Sequence, residues 1–531
     1  MTEKDQFQSK RESLVLNLLS DLPASVSPIY HAYSSLFTAY HTLTLTNRTD
    51  MEKDVSIPLP SSWTSQSSLR LWSQLPVLTA TLPVLPMEQF QHQPVPYIHD
   101  FGSNFKLVAT GITAPLRVTC VAQDGSRFHQ ILKKDEIRSD CVVQQLFELI
   151  NRLLAEENSE SQNFSLRDIH LRVYRVRNES ISKHQIVSVT SKTGVIEFVS
   201  NSTALRDYLV SDSYVFLLCL ICRRRKIDIS AHARYHPGEI SNAQILSQAS
   251  ALKTRPAEER IQFYHEITKQ FTPVLHYFFL EHFFAPQQWY QNTHNFISTL
   301  SVNSIVGYIV GLGDRHLRNI LIDNKTGELV HIDFGILFER GRILCVPERV
   351  PFRLTREFVD CLGVEGVNGL LREQMEFCMK LVSEKRELIL TILEVFLHDP
   401  LNSWVVRNRD GNAVMEGANT SAEQVLFKIE NKLLGRDNQN TESVSVEKQV
   451  DVLIKQATNE NNLALMYHGW GAWLLGVYYQ TEERDRSYSN RAFLTYHHFL
   501  NPIKMRHRLT KQAPIRLNLS TERCIIQTCH T

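Results

Sequence analysis

The segment Gly313-Asp314-Arg315-His316-Leu317-Arg318-Asn319, followed after a short apolar interval by Asp333-Phe334-Gly335, decides the fold of this chain. Residues 304–311, just before it, are mostly apolar and end in glycine, which predicts a buried helix that stops at the motif. Apolar segments on both sides of the turn at residues 324–327 predict two strands joined tightly. Such a hairpin brings Asn319 and Asp333 close together, as shared coordination of a metal requires.

The side chains of these two motifs are those that phosphoryl transfer needs. Asp314 would handle the acceptor hydroxyl, while the Asn319 amide oxygen and the Asp333 carboxylate would hold Mg²⁺ on the phosphates. Taken singly, Asp314 is as readily a turn residue, and Asp333 the end of a hairpin. The complete ordered set on one strand-turn-strand frame favours the active site of a kinase.

Composition narrows the class of protein. The 531 residues allow two or three domains, and the formal net charge of +1 provides no overall field toward nucleic acid or a membrane. The nine cysteines are scattered, apart from Cys219 and Cys222 within one apolar run, and indicate reduced thiols rather than a disulfide framework. The N-terminus is polar, so no secretory signal is visible, and no apolar run is long enough to span a bilayer.

The longest apolar run, residues 214–222, is followed by Arg223-Arg224-Arg225-Lys226. A membrane contact, a nuclear-import patch and a buried strand with a solvated basic end all fit this pattern. The run is too short to span a membrane, so the buried strand is the favoured interpretation.

The order of predicted elements is that of an α+β, bilobal, protein-kinase-like fold with a β-rich N-lobe, a mainly helical C-lobe and helical flanks. A helix is predicted at 141–154, and strands are predicted at 105–108, 116–121, 128–133, 170–176, 185–189 and 195–199. Helical spacing marks residues 10–50, and most of the chain beyond residue 235 is predicted helical. Residues 57–85 are rich in Ser, Pro and Thr, which predicts a linker or an irregular segment.

The N-lobe of a kinase needs a turn over the phosphates, a cation on the following strands and an acid that holds this cation. In the turn that begins at Thr110 and Gly111, backbone N–H groups would face phosphate. Lys133, at the end of a predicted strand, is the favoured cation, although the neighbouring Lys134 fits as well. Asp140 stands at the start of the next helix and would pair with the lysine.

Several stretches resemble the phosphatidylinositol 3-kinase-related protein kinases. The order Asp-Arg-His-x-x-Asn, reversed from the His-Arg-Asp of typical protein kinases, is similar to that superfamily. Residues 133–140 resemble the family's Lys-Gly-x-x-Asp-Leu-Arg-Gln-Asp stretch but are one residue short. Residues 341–356 resemble the activation segment of its ATM (ataxia-telangiectasia-mutated) branch. Residues 446–474 resemble a FATC element, and their Gly-Trp-x-x-Trp-Leu ending distinguishes the chain from lipid kinases.

The resemblance runs from about residue 85 to residue 474 and implies a fold of the PI3/PI4-kinase type. It divides the chain into the end of a FAT-like helical region with a linker (1–84), an N-lobe with hinge (85–200), a C-lobe (201–440) and a FATC-like element (444–474). Residues 213–230 would be an insertion and residues 475–531 an atypical tail, both explicable as retained intron sequence. Because family members are far longer, the chain is expected to be a C-terminal fragment, a truncated gene product or a shortened isoform.

The resemblance also implies a non-specific serine/threonine protein kinase of the ATM type that acts in DNA-damage signalling in the nucleus. Its cofactors would be ATP and Mg²⁺, with Mn²⁺ as an alternative. Its partners would be proteins with Ser/Thr-Gln sites and activators of the DNA-damage response, and no direct contact with nucleic acid is evident. The backbone of Glu197, Phe198 and Val199 would contact adenine, and His316 would stabilise the transferring phosphate.

Two other functions stay open. A phosphoinositide lipid kinase would need a cationic activation segment, and here Arg340, Arg342 and Arg349 are offset by Glu339 and Glu348. An inactive truncated fragment is the second alternative, because the N-lobe motif is one residue short and the supporting N-terminal regions are missing. The intact Asp-Asn-Asp set argues that the parent protein was active.

Overall fold

The computed structural model describes residues 26–46, 55–80, 95–108, 114–135, 137–161, 186–190, 193–210, 230–252, 255–344, 346–397, 418–436, 443–466 and 470. All of these residues belong to one unit, residues 1–477. Outside the described ranges lie Thr110, Gly111, the strand predicted at 170–176, the expected insertion apart from Ser230, and the tail 475–531.

The first half of the described chain is organised by an antiparallel sheet of seven strands. They are Ser56–Pro58 (β1), Ile98–Phe101 (β2), Asn104–Leu107 (β3), Leu116–Ala122 (β4), Arg127–Lys133 (β5), Ile186–Thr190 (β6) and Thr193–Glu197 (β7). Their order is β1-β3-β4-β5-β7-β6, and β2 also pairs with β4. The register sets Lys133 opposite Gly194 and Gln130 opposite Glu197. The strand with the candidate lysine therefore lies beside the strand that leads into the predicted hinge.

The core of this half lies on one face of the sheet. Buried and half-buried residues alternate along all of β4, as in a strand with one face on a core. Helix Ser27–Thr44 (α1) contributes Tyr40, which is fully buried and donates its hydroxyl hydrogen to Gln130 Oε1 at 2.5 Å. The buried Gln130 is thereby satisfied, as a polar side chain in a core must be.

The segment predicted as a linker, residues 57–85, is a correction to the sequence analysis, because part of it is folded. Helices Ser61–Thr64 (α2) and Gln66–Trp72 (α3) place Trp63 and Trp72 in the core, each 1% exposed and edge-to-face with Phe101. Burying an indole gains roughly 2–3 kcal/mol. Two such gains outweigh the modest helix propensity of a Ser-rich stretch.

Helix Arg138–Ser161 (α4) follows β5, and the second half of the chain is mainly helical. Its helices are Leu205–Leu209 (α5), Ala231–Tyr235 (α6), Asn242–Ala251 (α7), Ala257–Gln270 (α8), His276–His282 (α9), Pro286–Val310 (α10), Arg356–Asp360 (α11), Leu370–Glu384 (α12), Arg386–Leu397 (α13), Ala418–Leu433 (α14), Val446–Ala457 (α15) and Glu460–Ala464 (α16). A second antiparallel sheet has Ser202–Ala204 (β8), Ile320–Asp323 (β9) and Leu329–His331 (β10) in the order β10-β9-β8. Short 3-10 helices lie at Arg340–Ile343 and Gly366–Asn368.

Helix α10 is the central element of this half and leads directly into the first motif. Every residue from Phe296 to Val310 is buried, and polar members of this stretch such as Ser301 and Asn303 donate to main-chain oxygens of the preceding turn. The helix ends at Gly311, whose φ of 60° is left-handed, and the Leu312 N–H donates to Gly307 O at 2.8 Å. This glycine-ended termination was predicted from the apolar run and its glycines.

The bilobal α+β architecture predicted from the sequence is confirmed. The strands expected at 105–108, 116–121, 128–133 and 185–189 are present as β3 to β6, with ends that differ by one or two residues. The helix predicted at 141–154 is longer and runs from Arg138 to Ser161. Within the described ranges, no helix combines the length and the apolar character that crossing a membrane requires.

Candidate active site

Strands β9 and β10 form the predicted hairpin between the two motifs. Their register pairs His331 with Ile320, and one step further the Ile332 N–H donates to Asn319 O at 3.0 Å. Asp333 therefore directly follows the residue that faces Asn319 across the hairpin. The hairpin brings the two predicted metal ligands together.

Both motif aspartates have a left-handed backbone, with φ of 58° at Asp314 and 61° at Asp333. This region is uncommon for any residue other than glycine and costs roughly 1–2 kcal/mol, so the surrounding contacts must maintain it. At Asp314 the backbone N–H donates to Glu348 Oε1 at 2.8 Å, and the preceding Gly313 N–H donates to Ile336 O at 2.9 Å. The loop geometry is thus fixed by contacts with the chain that follows Asp333.

Arg315 connects the two motifs. Its side chain is buried and donates from Nε to Gly313 O at 2.8 Å, from Nη1 to Ile332 O at 2.9 Å and from Nη2 to Asp333 O. Burial lowers the pKa of the Arg315 guanidinium to about 10, although Asp333, Asp314 and other carboxylates oppose the shift. The group therefore stays cationic at neutral pH and offsets the charge of the aspartates around it.

Asn319 and His316 lie beside the Asp314 carboxylate. Asn319 Nδ2 donates to Asp314 O at 3.0 Å, and His316 Nε2 lies 3.9 Å from Asp314 Oδ2. Burial lowers the pKa of His316, although the nearby Asp314 carboxylate opposes this, so the imidazole is neutral at pH 7. The Arg318 N–H donates to His316 Nδ1 at 3.2 Å, which places the imidazole hydrogen on Nε2. His316 thus presents an N–H donor next to the Asp314 carboxylate.

Lys133 of β5 reaches the second motif. Its Nζ lies 3.3 Å from Asp333 Oδ1 and 3.6 Å from Asp135 Oδ2, while Lys134 is exposed. Burial alone would lower the pKa of Lys133, but Asp333, Asp140 and Asp135 outweigh it and raise the pKa, so the side chain keeps its charge. Of the two lysines left open by the sequence, Lys133 is the one that faces the candidate site.

The expected ion pair between Lys133 and Asp140 is corrected by the structure. Asp140 is 2% exposed, and its Oδ1 accepts the Phe334 N–H at 2.8 Å, while Oδ2 has no hydrogen-bond partner within the described ranges. Burial raises the pKa of Asp140 to about 6, although the charge of Lys133 opposes the shift. Asp140 therefore holds the backbone of the second motif, and it acts on Lys133 only as a nearby charge.

The predicted hinge follows β7. The Phe198 N–H donates to His129 O at 2.8 Å, so it is already satisfied, and Val199 O accepts the Ser202 hydroxyl at 2.8 Å. Within the described part of the chain, the Val199 N–H has no acceptor. Val199 is half-buried, so its N–H stays the candidate donor to adenine that the resemblance predicts.

The activation segment is anchored to two helices of the second half. Lys432 of α14 lies 3.0 Å from Glu339 Oε1 and donates to Tyr308 O of α10 at 2.9 Å. Burial alone would raise the pKa of the Glu339 carboxyl, but Lys432 and the neighbouring Arg342 and Lys428 outweigh it and lower the pKa. The chain just before the activation segment is therefore held by an ion pair between the half-buried Glu339 and the buried Lys432.

The described end of the FATC-like element docks beside the activation segment, as the resemblance implied. Trp470 is 3% exposed and packs in one cluster with Met466 and with Tyr264 of α8. Arg353 Nη1 donates to Trp470 O at 2.9 Å and to Arg315 O at 3.2 Å. Arg353 thus links the FATC-like element to the first motif through two hydrogen bonds.

Sequence reasoning missed three residues that shape this site, namely Arg315, Glu348 and Arg353. Each is a charged residue in a short motif in which roles were predicted only for neighbouring residues. Arg315 and Arg353 have nearly complete burial, at 2% and 3% exposure, which sequence shows only indirectly. The signal for Arg353 was its position between Phe352 and Leu354, because a cation between two apolar residues is often buried and bonded.

The donor set fits a divalent cation held jointly with phosphate. Because Asn319 uses Nδ2 toward Asp314 O, its Oδ1 has no hydrogen-bond partner among the described residues, and the Asp333 side chain is 46% exposed. In the described ranges, no group of three or more His, Cys, Asp or Glu side chains could hold a metal ion. One amide oxygen and one carboxylate suit a divalent cation that takes its other ligands from substrate phosphates and water.

Comparison with known families matches two segments of the chain. The profile of phosphatidylinositol 3- and 4-kinases matches residues 128–406, and the profile of the FATC domain matches residues 443–474. The chain belongs to the phosphatidylinositol 3- and 4-kinase family, and its FATC domain confirms the expected resemblance to the related protein kinases of that family.

Within the family, the chain is similar to ATM and Tel1 kinases. Serine/threonine-protein kinase ATM of Drosophila melanogaster is 35% identical over 409 residues, which cover 76% of this chain and 14% of the relative. Serine/threonine-protein kinase tel1 of Emericella nidulans is 34% identical over 400 residues, which cover 71% of this chain and 13% of the relative. The solved FAT and kinase domain of CtTel1 is similar with a TM-score of 0.69 and 32% identity, over 87% of this chain and 30% of that one. The chain thus spans 13–14% of the length of these two curated relatives.

Proposed function

We propose that this chain is a serine/threonine protein kinase of the ATM type, which transfers the γ-phosphate of ATP to a protein hydroxyl. The observation that carries the proposal is the 3.3 Å approach of Lys133 Nζ to Asp333 Oδ1. This contact joins two residues that are 200 positions apart, one in the seven-stranded sheet and one in the helical half. Asp314 and Asn319 of the first motif lie beside each other at the same site. A lysine, two aspartates and an asparagine in one cleft form the set that kinases use.

ATP and a divalent cation would be held by side chains of both halves. When bound, the cation offsets the charge on the phosphates. We assign Asn319 Oδ1 and the Asp333 carboxylate to the cation, Lys133 to phosphate oxygens and the Val199 N–H to adenine. The turn at Thr110 and Gly111, and the backbone of Glu197 and Phe198, complete the proposed nucleotide site on the strength of the resemblance.

Asp314 is the residue that we assign to the acceptor hydroxyl. Its side chain is 36% exposed, so an incoming hydroxyl can reach it, and its backbone is held from Glu348. The carboxylate would orient the hydroxyl and take up its proton. His316 lies two positions after Asp314, and its Nε2–H would donate a hydrogen bond to a phosphoryl oxygen as charge develops there.

The biological setting of the reaction is also a proposal. The curated relatives named above are serine/threonine-protein kinases ATM and tel1, and the resemblance carries their type of target to this chain. We propose Ser or Thr followed by Gln as the acceptor site, Mg²⁺ rather than Mn²⁺ as the preferred cation, the nucleus as location, and signalling of DNA double-strand breaks with the corresponding activator proteins.

Phosphate transfer to a Ser-Gln peptide tests the proposal. The purified full chain is incubated with Mg-ATP and the peptide, with an Ala-Gln peptide and phosphoinositide vesicles as alternative acceptors. We expect transfer to the Ser-Gln peptide alone, and its loss in Asp333→Ala. Asp124→Ala, the same change at an exposed hairpin turn, is the matched control and should keep full activity. Transfer to vesicles instead would indicate a lipid kinase, and no transfer to any acceptor would indicate an inactive fragment.

A further inference from the structure

The backbone of Asp314 and Arg315 is held at both ends by side chains of the activation segment. Glu348 Oε1 accepts the Asp314 N–H at 2.8 Å, and Arg353 Nη1 donates to Arg315 O at 3.2 Å. Neither contact uses the carboxylate of Asp314. The two side chains therefore set the position of the loop without occupying the group that we assign to chemistry.

Arg353 also contacts Trp470. It donates to Trp470 O at 2.9 Å, and its guanidinium carbon lies 5.3 Å from the centre of the indole ring. Trp470 is thus joined to the Arg315 end of the loop through one cationic side chain, while Glu348 holds the Asp314 end.

Glu348 is also positioned by two glycines. A Cβ atom at Gly313 would come within 2.6 Å of Glu348 Oε2, and a Cβ atom at Gly341 within 2.1 Å of the same oxygen. Since real Cβ atoms do not approach an oxygen so closely, the carboxylate needs a bare Cα at both positions to reach the loop. Its location is therefore fixed by packing as well as by hydrogen bonds.

We propose that Glu348 is a positioning residue for phosphoryl transfer, which fixes the left-handed backbone of Asp314 by accepting its N–H. The catalytic consequence rests on the proposed kinase function, whereas the constraint on the backbone does not. Without the acceptor, the strained loop relaxes and displaces the carboxylate of Asp314. A displacement of about 1 Å costs on the order of 10²-fold in rate.

Hydrogen exchange at the Asp314 amide tests the constraint in the full chain, without any need for activity. In Glu348→Ala the amide loses its acceptor, so exchange should be at least about 10-fold faster. Glu348→Gln keeps one acceptor oxygen and should stay within about 3-fold of wild type. Glu373→Gln, the same change on the exposed side of α12, should have no effect. Unchanged exchange in Glu348→Ala would overturn the proposal.

Steady-state kinetics test the catalytic consequence. We expect Glu348→Ala to lower kcat on the order of 10²-fold with the KM values for ATP and peptide within about twofold, because only the transfer step uses the loop geometry. Glu348→Gln keeps an acceptor oxygen for the Asp314 N–H and should retain most of kcat.

The outcomes separate the two proposals. A raised KM with kcat unchanged in Glu348→Ala would refute Glu348 as a positioning residue for the transfer step. If the wild-type chain transfers no phosphate while amide exchange responds as expected, the kinase function fails and the backbone constraint stands.

Discussion

Gly311→Ala should destabilise the chain far more than an alanine usually does at a helix end. Gly311 ends α10 with φ of 60°, and its added Cβ would lie 2.4 Å from the backbone N of Glu339. The same Glu339 N–H donates to Gly311 O at 3.0 Å, so the clash falls on a hydrogen-bonded contact between the helix and the activation segment. The substitution combines backbone strain with loss of this contact.

The magnitude follows from three contributions. A left-handed alanine costs roughly 1–2 kcal/mol, and the clash with its lost hydrogen bond costs roughly 2–3 kcal/mol more. The alanine also lowers the conformational entropy of the unfolded chain, which stabilises the folded state by about 0.4–1 kcal/mol. We therefore expect a net loss of roughly 2–5 kcal/mol in the free energy of unfolding.

Two other glycines separate these contributions. Gly363 has φ of 79° with no atom within 4 Å of an added Cβ, so Gly363→Ala carries the backbone strain alone. Gly238 does not have a positive φ, and an added Cβ there would also have no atom within 4 Å. Gly238→Ala should therefore be neutral or slightly stabilising. Urea unfolding followed by tryptophan fluorescence measures all three variants. A loss in Gly311→Ala no larger than that in Gly363→Ala would refute the clash with the activation segment.

Three further perturbations have defined outcomes. Asp314→Asn should lower kcat about 10²- to 10⁴-fold at unchanged ATP affinity and unchanged stability, because Asn also tolerates the left-handed backbone. Asp140 has a folded pKa of about 6, above its unfolded value of 3.8, so the folded state binds its proton more tightly. The stability of the fold should therefore fall as pH rises from about 4 to 6. Asp140→Asn should remove this pH dependence in denaturant melts from pH 4 to 8. Lys432→Met removes the buried lysine and leaves the half-buried Glu339 with only the more exposed Arg342 and Lys428, so it should cost about 1–3 kcal/mol in urea unfolding. Lys428→Met, at the exposed lysine 3.8 Å from Glu339, should cost less than about 1 kcal/mol.

Each of these expectations can fail in a specific way. A higher KM for ATP with unchanged kcat in Asp314→Asn would assign that carboxylate to nucleotide binding. Identical pH profiles for wild type and Asp140→Asn would show that this carboxyl does not titrate in the folded protein between pH 4 and 6. Equal losses in the two lysine variants would show that the ion pair at Lys432 is no stronger than one in solvent.

The sequence predicted the local frame of the site well, because that frame depends on nearby residues. The hairpin between Asn319 and Asp333, the glycine end of α10 and the strand that carries Lys133 all follow from local patterns of apolar and turn residues. The roles of these residues stay predictions until they are tested by substitution.

Contacts between distant residues were the part that sequence could not supply. Lys133 was expected to pair with Asp140, seven positions away, but lies against Asp333, 200 positions away, because the packing of the two halves decides which carboxylate it faces. The folded segment around Trp63 and Trp72 was missed for the same reason. Its Ser-rich composition favours an irregular chain, and only the core on which the two indoles pack makes it helical.

The two buried arginines of the site, Arg315 and Arg353, bind main-chain oxygens of Ile332, Asp333 and Trp470. Every amino acid offers the same carbonyl, so the residues that are bound can change through evolution without altering what the arginines recognise. Conversely, no replacement of a bound residue can compensate for the loss of either arginine. This part of the active site should therefore leave no paired substitutions between lineages, and co-variation between positions would not reveal it.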